Sequence, residues 1–393
     1  MRLYVPIFCH RLFPILVLVG LLTMLLILLA RNDVTKIRSS SDSADNSPQQ
    51  PPKMAPTDSE VDLNEYNVKT HKGYVTLQEL NEKVFKQFGY EIKKPTLPVP
   101  TLRMLNEPTC DMVFSEWLRI SQVPQPEIPP KQLPVDHADE FLLNGYTALS
   151  PLYFNDHSKT GDHPRNWDKI SDLIKLGKTE IAAIAYLAES ESMYNAMNDY
   201  RLDEMSGFVV GSMQPWVEVM ALKHGEQGFQ KNSSQNIPGA KRILTVEYNQ
   251  LNIQEEFKDR LSSILPVDFV KNWQQYAGTF DFAASFSSIE HSGLGRYGDP
   301  IDPIGDLREM MKIKCMLKKG GLLFLGVPYG TDALHYNAHR YYGSIRLAMM
   351  FYGFEWLATY SGESEEPFDL NSERLHSGGV FKLIHYTTVL RKL

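Results

Sequence analysis

Seven residues able to bind, orient or move a proton fall within seventeen positions: Glu290, His291, Arg296, Tyr297, Asp299, Asp302 and Asp306. His291 is the general-base candidate, because an imidazole with an ordinary pKa of about 6.5 takes a proton from a hydroxyl at neutral pH. Glu290 beside it completes the catalytic pair, and Arg296, Tyr297 and Asp299 are candidates for holding substrate. A plainer reading exists for the aspartates: Asp299 and Asp302 stand before prolines, as turn residues do, and Asp306 suits a helix cap. Farther on, His335, His339 and Arg340 in "ALHYNAHRYY" follow an apolar strand; His339 and Arg340 are further substrate-binding candidates. The acids match no dedicated oxygen cage, so no metal is expected.

A second group points to a nucleotide. The stretch "GFVVGSMQPWVE" runs from an apolar strand through Gly211 and Ser212 into a helix with Pro215 at its start. Pro is at home there because its missing N–H has no helical partner, Ser212 can cap, and the free N–H groups of a helix start face a ligand. Trp216 either seals the sheet or stacks on a purine. The next strand ends at Glu247, where a carboxylate can accept from two ribose hydroxyls. Its spacing from Gly211 exceeds the usual ~20 residues, and the polar insertion "GEQGFQKNSSQNIPGAK" accounts for the excess.

The elements that must position these residues are legible as alternating runs. Apolar strand patterns occur at "GFVVG", "RILTVEY", "FDFAASF", "GLLFLGVP", "EWLATYS" and "VFKLIHYTTVL"; helical patterns occur at Trp216–His224, Asp306–Leu317 and Ser344–Tyr352. That alternation marks a doubly wound α/β sheet, and the last two strands, with no helix between them, should pair antiparallel. In "MLKKGGLLFLGVP", Gly320 or Gly321 is expected to end the preceding helix in the left-handed conformation. Upstream, "TEIAAIAYLAESESMYNAMNDY" predicts one long helix capped by Thr179, within a mainly helical extension over residues 61–205.

The N-terminus has a different character. After a tail of residues 1–11, Leu12 to Ala30 carry no charge over 19 positions, enough to cross a bilayer's hydrocarbon core of about 30 Å. The run exceeds an ordinary signal-peptide core and Leu28 is bulky for a cleavage site, so a retained signal anchor is expected over a cleaved signal peptide. Arg2 and Arg11 face Arg31, Lys36 and Arg38 across it, which leaves the positive-inside rule silent. A sequon at Asn232 and the signal-anchor layout favour a lumenal body, and a short span suits the endoplasmic reticulum or Golgi. Residues 31–60, rich in Ser, Asp, Pro and Gln, read as a disordered stem, and 206–393 as the α/β domain.

Composition narrows the function. Of 393 residues 43% are hydrophobic, and the formal net charge is −7 with no basic block outside the N-terminus, which excludes a nucleic-acid binder. Cys110 and Cys315 could pair in an oxidising lumen, but separate buried thiols are the expectation, since three cysteines make no framework.

"YAGTFDFAASFSSIEHSG", "LREMMKIKCMLKKGGLLFLGVP" and "HRYYGSIRLAMMFYGFEWL" resemble the second half of a class I S-adenosylmethionine-dependent methyltransferase. In that family a strand ending in Ser-x-x-x-x-Glu-His precedes a helix, a Leu-x-x-Gly-Gly turn and a strand ending in Val-Pro. With "GSMQPWVE", "TVEYN" and "GVPYG", the chain is more closely similar to a family of uncharacterised proteins well represented in nematodes. The resemblance implies a Rossmann-like sheet, S-adenosylmethionine as cofactor held by Gly211, Ser212, Glu247 and Ser285, and methyl transfer to an unidentified small-molecule, glycan or protein acceptor. The first motif departs from the pattern, because Val209 stands in the acid position and Met213 and Pro215 replace the further glycines. Loss of catalysis, leaving a binding protein, is therefore the alternative. A Golgi-type glycosyltransferase has the same anchor-stem-domain layout, but no Asp-x-Asp follows an apolar strand.

Overall fold

The computed structural model describes residues 61–124, 126, 128–156, 164–223 and 239–393. The expected span at Leu12–Ala30, the stem, Cys9 and the Asn232 sequon lie outside the described residues. Among the described residues no helix is long and apolar enough to cross a membrane. Val61–Leu393 form one compact unit.

The extension is mixed rather than mainly helical. It contributes the hairpins β1 (Asn67–Thr70) with β2 (Gly73–Thr76) and β3 (Tyr90–Lys94) with β4 (Thr101–Met104), helix α1 (Cys110–Ser121), strands β5 (Ala148–Leu152) and β6 (Arg165–Trp167), and helix α2 (Ala188–Asp199). Strands of three to five residues between prolines are too short to display period-two alternation, which is why the sequence hides them. Helix α1 starts where Thr109 Oγ1 accepts from the Met112 N–H. It buries Val113, Phe114 and Trp117.

The long helix expected at 179–200 is two helices. The first, Lys178–Ala182, is capped at Gly177, whose N–H donates to Glu180, and α2 follows after a break at residues 183–187. Leu187 takes a left-handed φ of 54°, and its N–H bonds back to Ala182 O at 3.0 Å. The break turns Ile184, Ala185 and Tyr186 inward to the cavity described below.

From β7 onward the chain builds the main sheet. In order come β7 (Ser206–Val210), α3 (Trp216–Lys223), β8 (Arg242–Val246), β9 (Leu251–Ile253), β10 (Leu261–Ile264), α4 (Pro266–Lys271), β11 (Phe280–Phe286), α5 (Gly305–Met316), β12 (Leu317–Pro328), β13 (Ala333–Asn337), β14 (His339–Tyr341), α6 (Ser344–Met350), β15 (Phe354–Tyr360) and β16 (His385–Lys392). The seven-stranded order is β10-β8-β7-β11-β12-β16-β15. Neighbours are parallel up to β12, whereas β16 runs antiparallel to both β12 and β15. Strand β10 escapes the sequence pattern because an edge strand reading Leu-Ser-Ser-Ile has too little apolar signal.

Successive residues of each strand serve opposite layers. Phe208, Ala283, Leu323 and Leu325 pack with α1, α4, α5 and α6, while Val209, Phe282, Phe324 and Val389 pack with α2 and α3. Each large buried side chain contributes roughly 1.5–3 kcal/mol. The layers are close enough that a Cβ on Gly207 would meet the Phe282 ring at 2.3 Å.

Gly320 is left-handed at φ 77°, but it does not end the helix. Helix α5 already stops at Met316, and Gly320 lies inside β12, where the register with β11 shifts between Phe280 and Phe282. The cysteines are also corrected: Cys110 and Cys315 form a disulfide between α1 and α5, with Cα atoms 5.8 Å apart. Spacing in the chain gives no hint of it, because helix packing alone brings them together.

Two further ties bind the extension to the carboxyl edge of the sheet. Strand β5 pairs parallel with β13, making a small sheet with β14, and β6 pairs parallel with β9 just after Glu247.

Candidate functional site

Strand β7 sits where the order reverses, with β8 and β10 on one side and β11 and β12 on the other. At such a switch point the carboxyl ends of adjacent strands diverge and leave a crevice. Here it is a cavity of about 530 Å³ lined by Gly211, Ser212, Glu247 and Asn249 at one end and by Glu290, His291, Arg296, Tyr297, His339 and His385 at the other.

The β7–α3 turn is shaped by its own contacts. Gly211 has φ 71°, and a Cβ there would lie 2.3 Å from Ser288 Oγ, so only glycine fits. The Ser212 N–H donates to Glu247 Oε2 at 2.9 Å, while the Asn249 N–H and Nδ2 donate to Oε1. The turn therefore folds onto the strand-end carboxylate. Trp216 lines the cavity and packs edge-to-face on Phe286, with centroids 5.1 Å apart. Ser285 is different: its hydroxyl donates to Val210 O within the sheet, and Ser287 and Ser288 face the cavity in its place.

Beneath the turn lies a group that sequence reading missed. Glu218 is fully buried, its Oε1 2.8 Å from Thr245 Oγ1 and its Oε2 3.0 Å from Ser212 Oγ. Ser212 Oγ also lies 2.9 Å from Gln214 O, and one hydroxyl proton serves one acceptor. The network closes when Glu218 carries the other proton. Burial agrees, pushing its pKa up to about 7 against the hydrogen bonds that favour the anion.

At the other end, the His291 Nδ1 is 2.6 Å from Ala338 O. A carbonyl only accepts, so Nδ1 carries the proton and Nε2 presents its lone pair. Ala338 is held in the β13–β14 turn that β5 supports, which makes the extension an orienting element for His291. Burial lowers the His291 pKa, outweighing Glu290 and keeping the ring neutral and basic at neutral pH. Glu290 Oε1 lies 3.9 Å from His291 Nε2 and 3.7 Å from His385 Nε2. Burial favours the protonated Glu290, but His385 and His291 together hold its pKa below the ordinary value.

His385, at the start of β16, and Glu189, in the first turn of α2, complete a row. Glu189 Oε2 is 3.1 Å from His385 Nδ1, and the His385 ring stacks on Phe286 with centroids 5.3 Å apart. Burial opposes the cation, yet the two carboxylates raise the His385 pKa to about 9. Nothing local in the sequence marked either residue, since 196 positions separate them.

Not all expected substrate residues face the cavity as free groups. Asp299 lines it, but its carboxylate accepts from the N–H groups of Gly293, Gly295 and Tyr297. Arg296 Nε donates to Asp156 at 2.6 Å, and its guanidinium covers Phe154. Arg340 is set away from the cavity, clamping the carbonyls of Glu290, Ser292, Asp302 and Pro303. His339 stays at the wall, its Nε2 without a hydrogen-bond partner and its pKa lowered by burial to about 4. Asp302 pairs with Arg308, and Asp306 with Arg346.

These shifts give a pH signature. His385 contributes stability that is fully present below its ordinary 6.5 and lost as pH rises through about 9. Glu218 contributes in an earlier window, present below 4.5 and lost as pH rises through about 7. Thermal midpoints measured against pH should fall across both windows, with His385→Gln flattening only the upper one and Glu218→Gln only the lower.

Strand order and direction make the fold methyltransferase-like, with a parallel sheet doubly wound about β7 and an antiparallel last strand. Residues 204–393, just under half the chain, match the family described as Caenorhabditis protein of unknown function, DUF268. Among curated proteins, none matches the chain. Similar solved structures include the [4+2]-cyclase SpnF, at 11% identity and TM-score 0.33, over 63% of this chain and 98% of that one. Another is 1,6-didemethyltoxoflavin-N1-methyltransferase of Burkholderia thailandensis with bound 1,6-didemethyltoxoflavin and S-adenosylhomocysteine, at 13% identity and TM-score 0.30, over 57% and 86%. A hemolysin-named protein of Streptococcus thermophilus matches at 17% identity and TM-score 0.31 over 51% of this chain, which spans 65% of that protein's length.

Proposed function

We propose that the protein is a membrane-anchored, S-adenosylmethionine-dependent methyltransferase whose α/β domain faces the lumen of the endoplasmic reticulum or Golgi. The observation that carries the reading is one cavity joining the strand-end carboxylate Glu247 to a neutral His291 whose Nε2 is free for a proton. The Cys110–Cys315 disulfide supports the lumenal side, because such bonds persist in oxidising compartments. The anchor rests on the apolar run Leu12–Ala30.

The residues present fit the nucleoside half of the cofactor. Glu247 Oε2 accepts a single hydrogen bond, and buried Asn249 Oδ1 accepts none, so acceptor capacity remains where ribose hydroxyls would donate. The glycine cradle for the methionine half is replaced by Ser212, Met213 and Pro215. When bound, S-adenosylmethionine supplies an electrophilic methyl whose bonding electrons leave with sulfur. His291 Nε2 takes the proton that an acceptor hydroxyl sheds as its oxygen gains the methyl, and Glu290 stabilises the resulting imidazolium. The cavity walls would orient the acceptor oxygen, and positioning is where most of the rate gain of such a transfer lies.

Calorimetric titration of residues 61–393 with S-adenosylmethionine and S-adenosylhomocysteine tests this. Micromolar binding is expected, weakened at least tenfold by Glu247→Ala. A folded sample that gives no heat would favour the second reading, a ligand-binding protein without catalysis, which the Ser212 N–H closing onto Glu247 supports.

A further inference from the structure

The inner half of the cavity has a charge pattern that selects among acceptors. The cations of its wall are already matched: His385 by Glu189 at 3.1 Å and by Glu290 at 3.7 Å, Arg296 by Asp156 at 2.6 Å, and Lys312 by Glu309 at 2.5 Å. Asp299 accepts from three backbone N–H groups. Among the described residues the wall therefore offers no spare cation for a phosphate or carboxylate. Glu189 and Glu290 share the one cation His385, so an ammonium would meet a carboxylate there but would bring no lone pair to the protonated His385 Nε2. An anionic acceptor would surrender its hydration for no compensating partner.

What the wall does offer is unsatisfied hydrogen-bonding atoms between aromatic faces. Glu290 Oε2, His339 Nε2 and His385 Nε2 are buried without partners, although Glu290 is 1% and His385 2% exposed. Buried polar atoms are seldom left unpaired, so three around one cavity call for a polar ligand there. Glu290 Oε2 needs a donor, as does His291 Nε2, while protonated His385 Nε2 needs an acceptor. A hydroxyl is both. Tyr186, Phe286 and Tyr297 supply ring surface alongside, and Tyr186 remains 41% exposed at the cavity's edge. Clustered hydroxyls on one edge and C–H groups on the other describe a sugar ring.

We infer that this compartment binds a neutral saccharide, presenting one hydroxyl to His291 Nε2 and others to Glu290 and His385, between aromatic walls. The inference deepens the methyl-transfer reading and names its acceptor class, so it rests on that reading for the chemistry but not for the binding.

The test is saturation-transfer NMR on the full chain in detergent micelles, with S-adenosylhomocysteine added. The probes are neutral methyl pyranosides and a neutral mannose disaccharide, set against glucuronate and spermidine. Saturation of the neutral sugars is expected, at least tenfold above glucuronate and spermidine, and reduced at least fivefold in Glu290→Gln and in Tyr186→Ala. Tyr186→Ala guards against misfolding of the buried variant, and circular dichroism of both checks it. Equal or stronger saturation of glucuronate or spermidine overturns the inference, as does saturation of sugars that neither folded variant changes, or none at all. Calorimetry with S-adenosylhomocysteine on the same sample separates the two ideas: sugar binding without nucleoside binding retains the saccharide site and removes the methyltransferase, and the reverse removes the saccharide.

Discussion

Reducing Cys110–Cys315 is expected to lower the stability of the domain by about 5 kcal/mol, the loop-closure entropy returned to an unfolded chain once a crosslink spanning 205 residues is opened. The bond ties the first residue of α1 to the last turn of α5. Phe114 of α1 still stacks on Trp273, which follows α4, with centroids 5.1 Å apart, so packing keeps α1 against its layer. The effect reaches the site through Lys312, which lines the cavity from α5 while its ammonium sits 4.5 Å over the α1 ring of Trp117. Denaturant midpoints with and without reductant, alongside Cys315→Ser, measure it. Reductant should shift the wild type to the level of Cys315→Ser and leave that variant unmoved; a wild type insensitive to reductant would refute the role of the bond.

Asp306→Ala should be nearly as damaging, at about 3–5 kcal/mol, because it strands buried arginines. Asp306 is wholly buried in the first turn of α5. Arg346 Nε and Nη2 donate to it at 2.7 and 2.5 Å, Tyr342 donates at 3.1 Å, and Arg340 Nε stands 3.7 Å away. Burial raises the Asp306 pKa, but the two arginines outweigh it and keep the carboxylate ionised. Arg340 in turn holds the carbonyls of Glu290 and Ser292, which flank His291. Loss of Asp306 should therefore loosen the loop bearing Glu290 and His291 as well as the core. An unfolding free energy within about 1 kcal/mol of wild type by denaturant titration, with His291 imidazole resonances unmoved, would sink the proposal that this ion cluster supports the loop.

How much was legible differs from element to element. "FDFAASF" reads as a strand and is one over Phe280–Phe286, because a strand buried on both faces leaves an unbroken apolar run. Edge strand β10 and the short strands of the extension leave no such run. The helix expected at 179–200 has the right composition throughout, yet breaks at 183–187, where tertiary contacts outweigh propensity. Within the site, the Glu290–His291 pair and Glu247 were visible because chemically distinctive residues follow apolar strands.

The sequence by itself determined the doubly wound sheet, the antiparallel final pair and the strand ends that carry chemistry, since these follow from local hydrophobic periodicity and residue type. Tertiary structure decided what each polar group does. It spent Asp299 and Arg340 on backbone groups, joined Cys110 to Cys315, and brought Glu189, Glu290 and His385 into one row from three distant elements. The reason is physical: a buried polar atom takes its role from whichever partner lies within about 3 Å, and that proximity is set by packing rather than by spacing along the chain.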